Sequence, residues 1–468
     1  MEAWVERILK QERERRRIPL EVKLLNGNYY LYHSTSRYDA SRGRGKKVSE
    51  YVGRITPSGI VEKGAERRTV FEYGNSQLIL SISRDLLAAL EKAFPDRWKE
   101  AFAMSCVRVL GNVPLKCVKD RWEKLHLSTI IDAHLSQNTL TGVLRELGRD
   151  YASQKALFDL LMSGSRKLVF DLSSIFSYSE NLVYAEKGYN ADHLYLPQVN
   201  FVLFYSLDRR LPVYMKPIPG SVRDIKALRN VVDEVGSNGV TLVLDRGFAS
   251  YDLAALLLDM RMSFVMPLRR NFLAIDYRDK MEGSFVYHER GILYSRKRYG
   301  KKCFIYLFED VRLSAEEAST FIALISERKR TQKGFEREKV KFGKIAILSN
   351  IDDKPKEVYL LYKEREGVEQ VLDAMKNELE NDKSYLGDDD ALRGYFFVSF
   401  VSLYIYCLIS KMIRDNDLAD RVSVNEVLLK FSRVYEIDLS GKKKLSEVPE
   451  GVRKLDEQLK SRIFPKIL

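Results

Sequence analysis

Two runs of apolar residues in this sequence each end in an aspartate. The first reads KLVFD and ends at Asp171, and the second reads VTLVLD and ends at Asp245. Short apolar runs are typical of strands buried in a sheet, and the amphipathic stretches 224–236 and 251–260 predict helices. Strands that alternate with helices in this way predict an α/β fold with a mixed sheet.

The two aspartates are the first candidates for chemistry. An acid that follows a buried strand lies at the edge of the sheet, where α/β proteins collect ligands and catalytic groups. Two such acids on neighbouring strands could hold divalent cations, which prefer oxygen ligands. Taken alone, an acid at the end of a strand is more often a turn residue or a helix cap than a catalytic group. After Asp245, Gly247 suits a tight turn and Phe248 is expected to pack beneath it.

Basic residues are concentrated in two parts of the chain. The 468 residues include 78 Lys and Arg against 65 Asp and Glu, a formal charge of +13. Residues 1–68 hold 16 basic and 9 acidic residues, and residues 261–344 hold 20 and 11. The rest of the chain therefore has a net charge of −3. This distribution favours two contact surfaces for a polyanion over general solubilisation by charged faces.

Several classes of protein are disfavoured by what the sequence lacks. Its four cysteines form no CxxC pair and its five histidines do not cluster, so a disulfide scaffold and a structural zinc site are not expected. It has neither a P-loop pattern nor a dinucleotide-binding glycine fingerprint. The N-terminus is charged from Glu2, which argues against a secretory signal. The apolar run 395–409 is shorter than the ~20 residues of a membrane span, so we expect a buried core helix.

Local patterns predict the remaining elements. A basic helix is expected over 1–17, and strands over 28–33 and 46–55. A helical pattern follows, with Ser83 and Ser136 as candidate caps. The stretch 135–148 has the spacing of a small DNA-reading helix and equally that of a core helix.

A predicted helix that begins near Glu357 carries four polar residues on one stripe. Tyr362, Arg365, Glu369 and Lys376 lie within about 60° of one another at 100° per residue. Its apolar residues fall on the adjoining face, so the helix would pack by one side and present the stripe along its border. The spacing by itself is also that of an ordinary amphipathic helix with ion pairs such as Arg365 with Glu369.

Taken in order, these motifs resemble the DDE transposases of the fourth insertion-sequence family. The signature Tyr-x2-Arg-x3-Glu-x6-Lys matches without a gap, and Asp245-Arg246-Gly247-Phe248 matches the family's Asp-x-Gly-Phe. Asp171 would be the first aspartate. The stretch between the two aspartates resembles the family's Gly-to-Asp element, strand pair and PGS-x2-D turn, through Gly188, Asp192, Gly220 and Asp224. Two departures are Asn190-Ala191, where the family usually has Ser-Lys, and the 124 residues from Asp245 to Glu369, which require an insertion.

The resemblance implies a fold and a mechanism. It implies a ribonuclease-H-like mixed sheet flanked by helices, with a mostly β insertion before the last catalytic helix and an N-terminal β plus helical DNA-binding region. It implies Asp171, Asp245 and Glu369 as catalytic residues and ligands of two Mg²⁺ ions, for which Mn²⁺ can substitute. Tyr362, Arg365, Lys376 and Arg246 would contact DNA. The expected partners are double-stranded DNA and a second copy of the chain, in the cytoplasm at the nucleoid, without a membrane.

We therefore expect six regions along the chain. They are a basic β-rich DNA-binding region (1–77), a helical region (78–165), the first part of the catalytic core (166–269), a basic β-rich insertion (270–343), the second part of the core (344–415) and a polar, helix-prone tail (416–468). Three alternatives to a transposase stay open: a nuclease that cuts without joining, an inactive DNA-binding remnant, and a membrane-surface protein.

Overall fold

The computed structural model contains a large central sheet, a helical layer and two smaller sheets. It describes residues 2–25, 27–39, 44–57, 59–62, 68–111, 113–177, 179, 181–188, 196–222, 224–235, 239–379, 383–384, 386–439 and 442–465. The helices are α1 (Ala3–Arg16), α2 (Gly74–Ile82), α3 (Arg84–Ala93), α4 (Trp98–Val109), α5 (Val118–Trp122), α6 (Gln137–Arg149), α7 (Tyr151–Met162), α8 (Asp224–Val235), α9 (Tyr251–Asp259), α10 (Val311–Ser326), α11 (Gln332–Glu338), α12 (Pro355–Lys363), α13 (Glu366–Asp373), α14 (Asp389–Asp415), α15 (Val424–Phe431) and α16 (Glu450–Gln458). The strands are β1 (Leu20–Leu25), β2 (Asn28–Asp39), β3 (Arg44–Thr56), β4 (Gly59–Glu62), β5 (Arg68–Glu72), β6 (Lys167–Ser177), β7 (Glu186–Lys187), β8 (Pro197–Ser206), β9 (Leu211–Pro219), β10 (Thr241–Val243), β11 (Ser263–Pro267), β12 (Gly283–Tyr287), β13 (Arg290–Tyr299), β14 (Cys303–Asp310), β15 (Lys344–Ser349), β16 (Lys383–Ser384), β17 (Tyr435–Leu439) and β18 (Lys442–Leu445).

The central sheet is mixed, as the apolar runs predict. Strand β6 lies in the middle, antiparallel to β8 on one side and parallel to β10 on the other. β9 continues the sheet beyond β8, and β11 continues it in parallel beyond β10. The α/β prediction is confirmed, and this arrangement is consistent with the ribonuclease-H-like fold that the resemblance implies.

The stretch 270–343 differs from the mostly β insertion that we expected. Its strands β12, β13 and β14 do not form a sheet of their own, because β15 joins them to β11 and extends the central sheet. Helices α10 and α11 then cover about as many residues as the three strands. β14 shares the core of the central sheet, where its residues Ile305–Phe308 are buried, whereas β12 at the edge has no buried residue.

The N-terminal region is a small sheet with its own hydrophobic core. The basic helix expected over 1–17 is confirmed as α1, which packs on one face of the sheet β1-β2-β3-β4. The buried side chains of this core are Val5, Ile8, Leu9, Leu20, Leu31 and Ile55. Strands β2 and β3 form a long antiparallel hairpin with a bulge at Leu31/Tyr32.

The apolar run 395–409 lies within α14, a core helix of 27 residues. It is the one helix in the described residues that is long and apolar enough to cross a membrane, and 72% of its most apolar window is buried inside the protein. It packs on α4, α6 and β9. The prediction of a core helix is confirmed. The apolar residues of α6 are also buried, which favours the core-helix interpretation of 135–148; they are Leu140, Val143, Leu144 and Leu147.

The two candidate caps have different outcomes. Ser136 caps α6, since its Oγ accepts from the backbone N–H of Thr139 at 3.2 Å. Ser83 stands before α3, but its side chain makes no cap hydrogen bond. The backbone of Ser83 has a ψ of 13°, outside the extended conformation of a cap, because α3 follows α2 almost directly.

The tail contains strands that the sequence pattern did not predict. Strand β17 pairs with β18 and also, antiparallel, with β5 of the N-terminal region. Residues 435–439 and 68–72 are therefore neighbours in one three-stranded sheet. This sheet joins the C-terminal tail to the N-terminal region.

The crossing of α6 and α14 depends on two glycines. A Cβ at Gly394 would lie 1.9 Å from the carbonyl oxygen of Leu144, and a Cβ at Gly148 would lie 1.8 Å from that of Asp390. Both contacts are with backbone, so the helices must separate to admit a methyl group.

Gly394→Ala is therefore expected to lower the free energy of unfolding by about 1–3 kcal/mol, the usual cost of overpacking. Gly142→Ala is the matched control, because Gly142 lies on α6, the other helix of this crossing, with open space around it. That change should be neutral or slightly stabilising. Urea unfolding of both variants measures the difference, and equal stabilities would contradict the close approach.

Candidate active site

The register of two parallel strands brings the predicted aspartates side by side. Val243 of β10 pairs with Val169 of β6. Asp245 and Asp171 each follow their paired residue by two positions, so they reach the same level of the sheet. Asp171 lies within β6, and Asp245 lies just beyond the end of β10. The prediction that the two aspartates lie on neighbouring strands agrees with the structure. The expectation that Asp171 ends its strand is wrong, because β6 continues to Ser177 through its pairing with β8.

The turn after Asp245 is held from two sides. The Asp245 carboxylate accepts from the backbone N–H of Gly247 at 3.3 Å. Phe248 is buried and contacts the ring of Phe170, the residue before Asp171, at a centroid distance of 4.8 Å. This contact fits the expectation that Phe248 packs beneath the turn, and it links the positions of the two aspartates.

Arg269 is a further residue of the site that sequence reasoning missed. Its guanidinium donates to the carbonyl oxygen of Gly247 at 2.7 Å, so it fixes the outer side of the turn. The available signal was its position, just after the end of strand β11, at the same edge as Asp245.

The helix that carries the polar stripe is interrupted. A single helix was expected from about Glu357, but α12 ends at Lys363 and α13 begins at Glu366. Between them the hydrogen bonds tighten to i→i−3, as from the Arg365 N–H to the Tyr362 carbonyl oxygen. A π-helical segment, Ala374–Glu378, follows α13. The uniform 100° step of our prediction is therefore wrong across this segment, although Arg365 and Glu369 stay on one side.

Arg365 joins the acids from different elements. Its guanidinium lies 2.7 Å from the Glu369 carboxylate and 3.5 Å from that of Asp245. Its side chain is only 14% exposed. Burial opposes the charge, yet the carboxylates of Asp245 and Glu369 outweigh burial and raise the pKa of Arg365. Arg365 is thus a fixed cation among the candidate catalytic acids.

Asp171 is the acid most affected by this environment. Burial raises its pKa to about 6, and the nearby charges of Asp245 and Glu369 add to that effect. The Leu172 N–H, which donates to its carboxylate at 2.8 Å, and the Arg365 guanidinium act in the opposite direction. Asp171 is thus near enough to Asp245 and Glu369 for their charges to act on it.

The donor set suits hard divalent cations. Asp171, Asp245 and Glu369 come from three elements, and carboxylate oxygens are the ligands that Mg²⁺ prefers. In the described part of the chain, however, no three acidic, histidine or cysteine side chains lie close enough to hold an ion as they stand. Arg365 lies between Asp245 and Glu369, and Glu369 is 57% exposed. The residues therefore fit a cation, provided that it replaces the guanidinium as the partner of these acids.

The structure describes most of the other candidate residues. Arg246 is exposed beside Asp245, Tyr362 is half-buried near Arg365, and Lys376 is half-buried in the π-helical segment. Gly188 and Gly220 pack together, since a Cβ on Gly188 would lie 2.0 Å from the Gly220 carbonyl oxygen. Asp224 begins α8, but its side chain is outside the described part. Asp192 and Asn190-Ala191 lie outside the described residues.

Comparison with known families agrees with this geometry. The model of the transposase DDE domain matches residues 129–404, more than half of the chain. The chain belongs to the DDE transposase family. The matched region contains Asp171, Asp245 and Glu369 together with the strands and helices that carry them. A comparison with curated protein sequences gives no match.

Membership of the DDE transposases establishes the general class of activity. It implies a phosphoryl-transfer enzyme with DNA as its partner. DDE transposase domains normally use divalent metal ions. The structural feature of this chain that agrees with such use is the pairing of Arg365 with the carboxylates of Asp245 and Glu369, from two different elements.

Asp171→Asn is expected to stabilise the metal-free transposase in a pH-dependent way. A raised pKa means that ionisation of Asp171 costs stability as pH rises from the unfolded value near 3.8 to the folded value of about 6. Asparagine removes that cost, so its advantage should grow from pH 4 to pH 6 and then level off at up to about 3 kcal/mol. Unfolding in EDTA across this range is the measurement. The exposed control Asp420→Asn should follow the wild type, and a constant difference for Asp171→Asn would contradict the buried carboxylate.

Arg365→Ala is expected to make the acids more accessible to divalent ions. A charge-assisted hydrogen bond contributes about 1.5–3 kcal/mol, so its loss should lower the Mg²⁺ concentration at half-maximal thermal stabilisation by roughly tenfold or more. Without Mg²⁺ the variant should be less stable than the wild type, because the carboxylates repel one another. Arg145→Ala, which removes an exposed pair with Asp388, is the control. An unchanged Mg²⁺ midpoint in Arg365→Ala would show that the guanidinium does not compete.

Proposed function

We propose that the protein is a cut-and-paste transposase of the fourth insertion-sequence family. It would cleave DNA at the ends of an insertion sequence and transfer those ends into target DNA. The observation that carries this proposal is the Arg365 guanidinium that joins Asp245 and Glu369 beside Asp171. It connects the Asp-x-Gly-Phe motif with the Tyr-Arg-Glu-Lys motif, and both lie within the matched domain.

Asp171, Asp245 and Glu369 are the catalytic residues of this proposal. They would hold two Mg²⁺ ions, or Mn²⁺ in their place, through carboxylate oxygens. Two such ions supply stabilisation of both the attacking and the leaving oxygen in a phosphoryl transfer. β6 and the buried Phe248 hold the aspartates rigidly, whereas the exposed Glu369 can adjust on α13.

Basic and aromatic residues around the acids would position the DNA. Arg246 is exposed at the turn next to Asp245, where it can reach a phosphate near the cut. Arg365 would exchange its carboxylate partners for a phosphate, to which a guanidinium can bind through two hydrogen bonds. Tyr362 at the end of α12 and Lys376 in the π-helical segment after α13 would also contact the DNA.

We propose that the two basic parts of the chain form the binding surfaces for double-stranded DNA. Residues 1–68 carry a net +7 and residues 261–344 a net +9. We assign the N-terminal region to the terminal repeats of the element, because phosphate contacts supply most of the affinity for duplex DNA. Since two ends must be brought together, a homodimer on the DNA is expected, in the cytoplasm at the nucleoid.

A nuclease that cuts without joining would use the same acids, and an inactive remnant would bind DNA only. Detection of strand-transfer products would exclude the nuclease that does not join DNA. Detection of cleavage would exclude the inactive remnant. The membrane-surface alternative loses its main support, because the apolar helix α14 is mostly buried in the core.

Asp171→Asn, Asp245→Asn and Glu369→Gln are each expected to abolish cleavage, by at least about a thousandfold, while DNA binding persists. The substrate is labelled DNA that carries the ends flanking the gene, with Mg²⁺ or EDTA. Glu366→Gln is the matched control, since Glu366 lies on the same helix but pairs with Lys363. Cleavage retained in any one of the three variants would remove that residue from the catalytic set.

A further inference from the structure

The N-terminal sheet has one face that α1 does not cover. α1 packs on the side that carries Leu31 and Ile55. Because side chains alternate along a strand, Tyr30 and Tyr32 on β2 point to the opposite side. The strand register places Tyr51 beside Tyr32 and Arg54 beside Tyr30 on β3, and Lys23 beside Tyr30 on β1. We call this side the tyrosine face; its residues are Lys23, Tyr30, Tyr32, Lys47, Tyr51 and Arg54.

Three tyrosine rings form a continuous surface there. The Tyr51 ring lies 5.5 Å from that of Tyr32 and 6.0 Å from that of Tyr30. All three are partly exposed, and in the described part of the chain none belongs to either hydrophobic core. Aromatic side chains that neither pack inside nor lie singly on a surface mark an interaction site.

The charges around the rings are mostly positive. The Lys23 ammonium lies 4.3 Å from the centre of the Tyr32 ring. Lys47 is 65% exposed, and Arg54 is exposed beside Tyr30. Glu21, the acid on this face, is paired with Lys47 and Lys23, which together with Ser49 lower its pKa to about 2. The face therefore suits an anionic partner with flat apolar surfaces.

We propose that the tyrosine face binds unpaired bases of a DNA strand, by stacking on its rings while Lys23, Lys47 and Arg54 contact the phosphates. This rests on the proposed function, because DNA whose strands are cut and joined exposes bases that have lost their pairing partners. Aromatic rings stack on any base, and cations beside them follow the backbone. In an intact duplex the base faces are already stacked and offer nothing to the rings.

The shape of the sheet supports a single strand over a duplex. The major groove is about 12 Å wide and admits a helix or a two-stranded ribbon. Four strands spaced about 4.8 Å apart span roughly 14 Å, so the flat side of this sheet does not enter the groove. An unpaired strand can lie across it with its bases toward Tyr30, Tyr32 and Tyr51.

The test uses the full-length protein and three labelled DNAs of one sequence: a single strand, a fully paired duplex and a duplex with a central unpaired bubble. We expect the wild type to bind the bubble several-fold more tightly than the paired duplex. Tyr32→Leu and Tyr51→Leu should each weaken single-strand and bubble binding roughly tenfold and change paired-duplex binding less than twofold. Tyr32→Phe should keep the affinity, because it keeps the ring. Tyr435→Leu, at a tyrosine 41% exposed on β17, is the matched control.

Each outcome has a defined meaning. Equal losses on paired and unpaired DNA would overturn stacking and leave a contact with the duplex backbone, and unchanged binding in both leucine variants would overturn the site. If the wild-type protein still cleaves at the element ends, neither of these results contradicts the transposase proposal. Absence of both cleavage and DNA binding in the wild type would overturn both proposals. Unfolding curves show whether the leucine variants are still folded. If they are folded and Tyr32→Phe keeps the affinity, the weaker binding comes from the loss of stacking and not from misfolding.

Discussion

The parallel pairing of β6 with β10 is the constraint on which the candidate active site depends. Side chains alternate between the two faces of a strand, so a shift of one residue would turn an aspartate to the opposite face. The observed register, Val169 with Val243, puts Asp171 and Asp245 at one level. The contact of Phe170 with Phe248 reinforces that register from inside the core. The position of the acids is thus a consequence of apolar packing rather than of any attraction between them.

Carboxylates that packing brings together repel one another, and Arg365 supplies the compensating charge. The raised pKa of Asp171 shows that compensation is incomplete at the most buried acid, and the raised pKa of Arg365 shows that the guanidinium is firmly held. A divalent cation in this place would meet the same electrostatic need more strongly. Under the proposed function, binding of a metal ion and release of Arg365 toward DNA would therefore be coupled by the charge balance of these residues.

The sequence predicts the elements better than their connections. Runs and regular spacings of apolar residues identify β6, β10 and α14, because buried positions require apolar side chains. The extension of the central sheet by β12–β14 and the pairing of β5 with β17 leave no such trace, since edge pairing depends on backbone groups that every residue has. The break between α12 and α13 also escaped prediction, because a period of 3.6 does not register a local tightening of hydrogen bonds. Arg365 and Glu369 were found by spacing, but the Arg365 contact with Asp245 required the fold.

The buried hydrophobic side chains in the described part of this protein form two separate cores. The buried residues of the N-terminal module, among them Val5 and Leu31, form a cluster separate from the one beneath the central sheet. Among the described residues, Tyr30, Tyr32 and Tyr51 belong to neither cluster, so substitutions on the tyrosine face are expected to leave the packing around Asp171 unchanged. Under the proposed function, the N-terminal module would select the DNA ends, while the register of β6 and β10 keeps the acids in place. One catalytic arrangement would then act on DNA ends that another part of the chain selects.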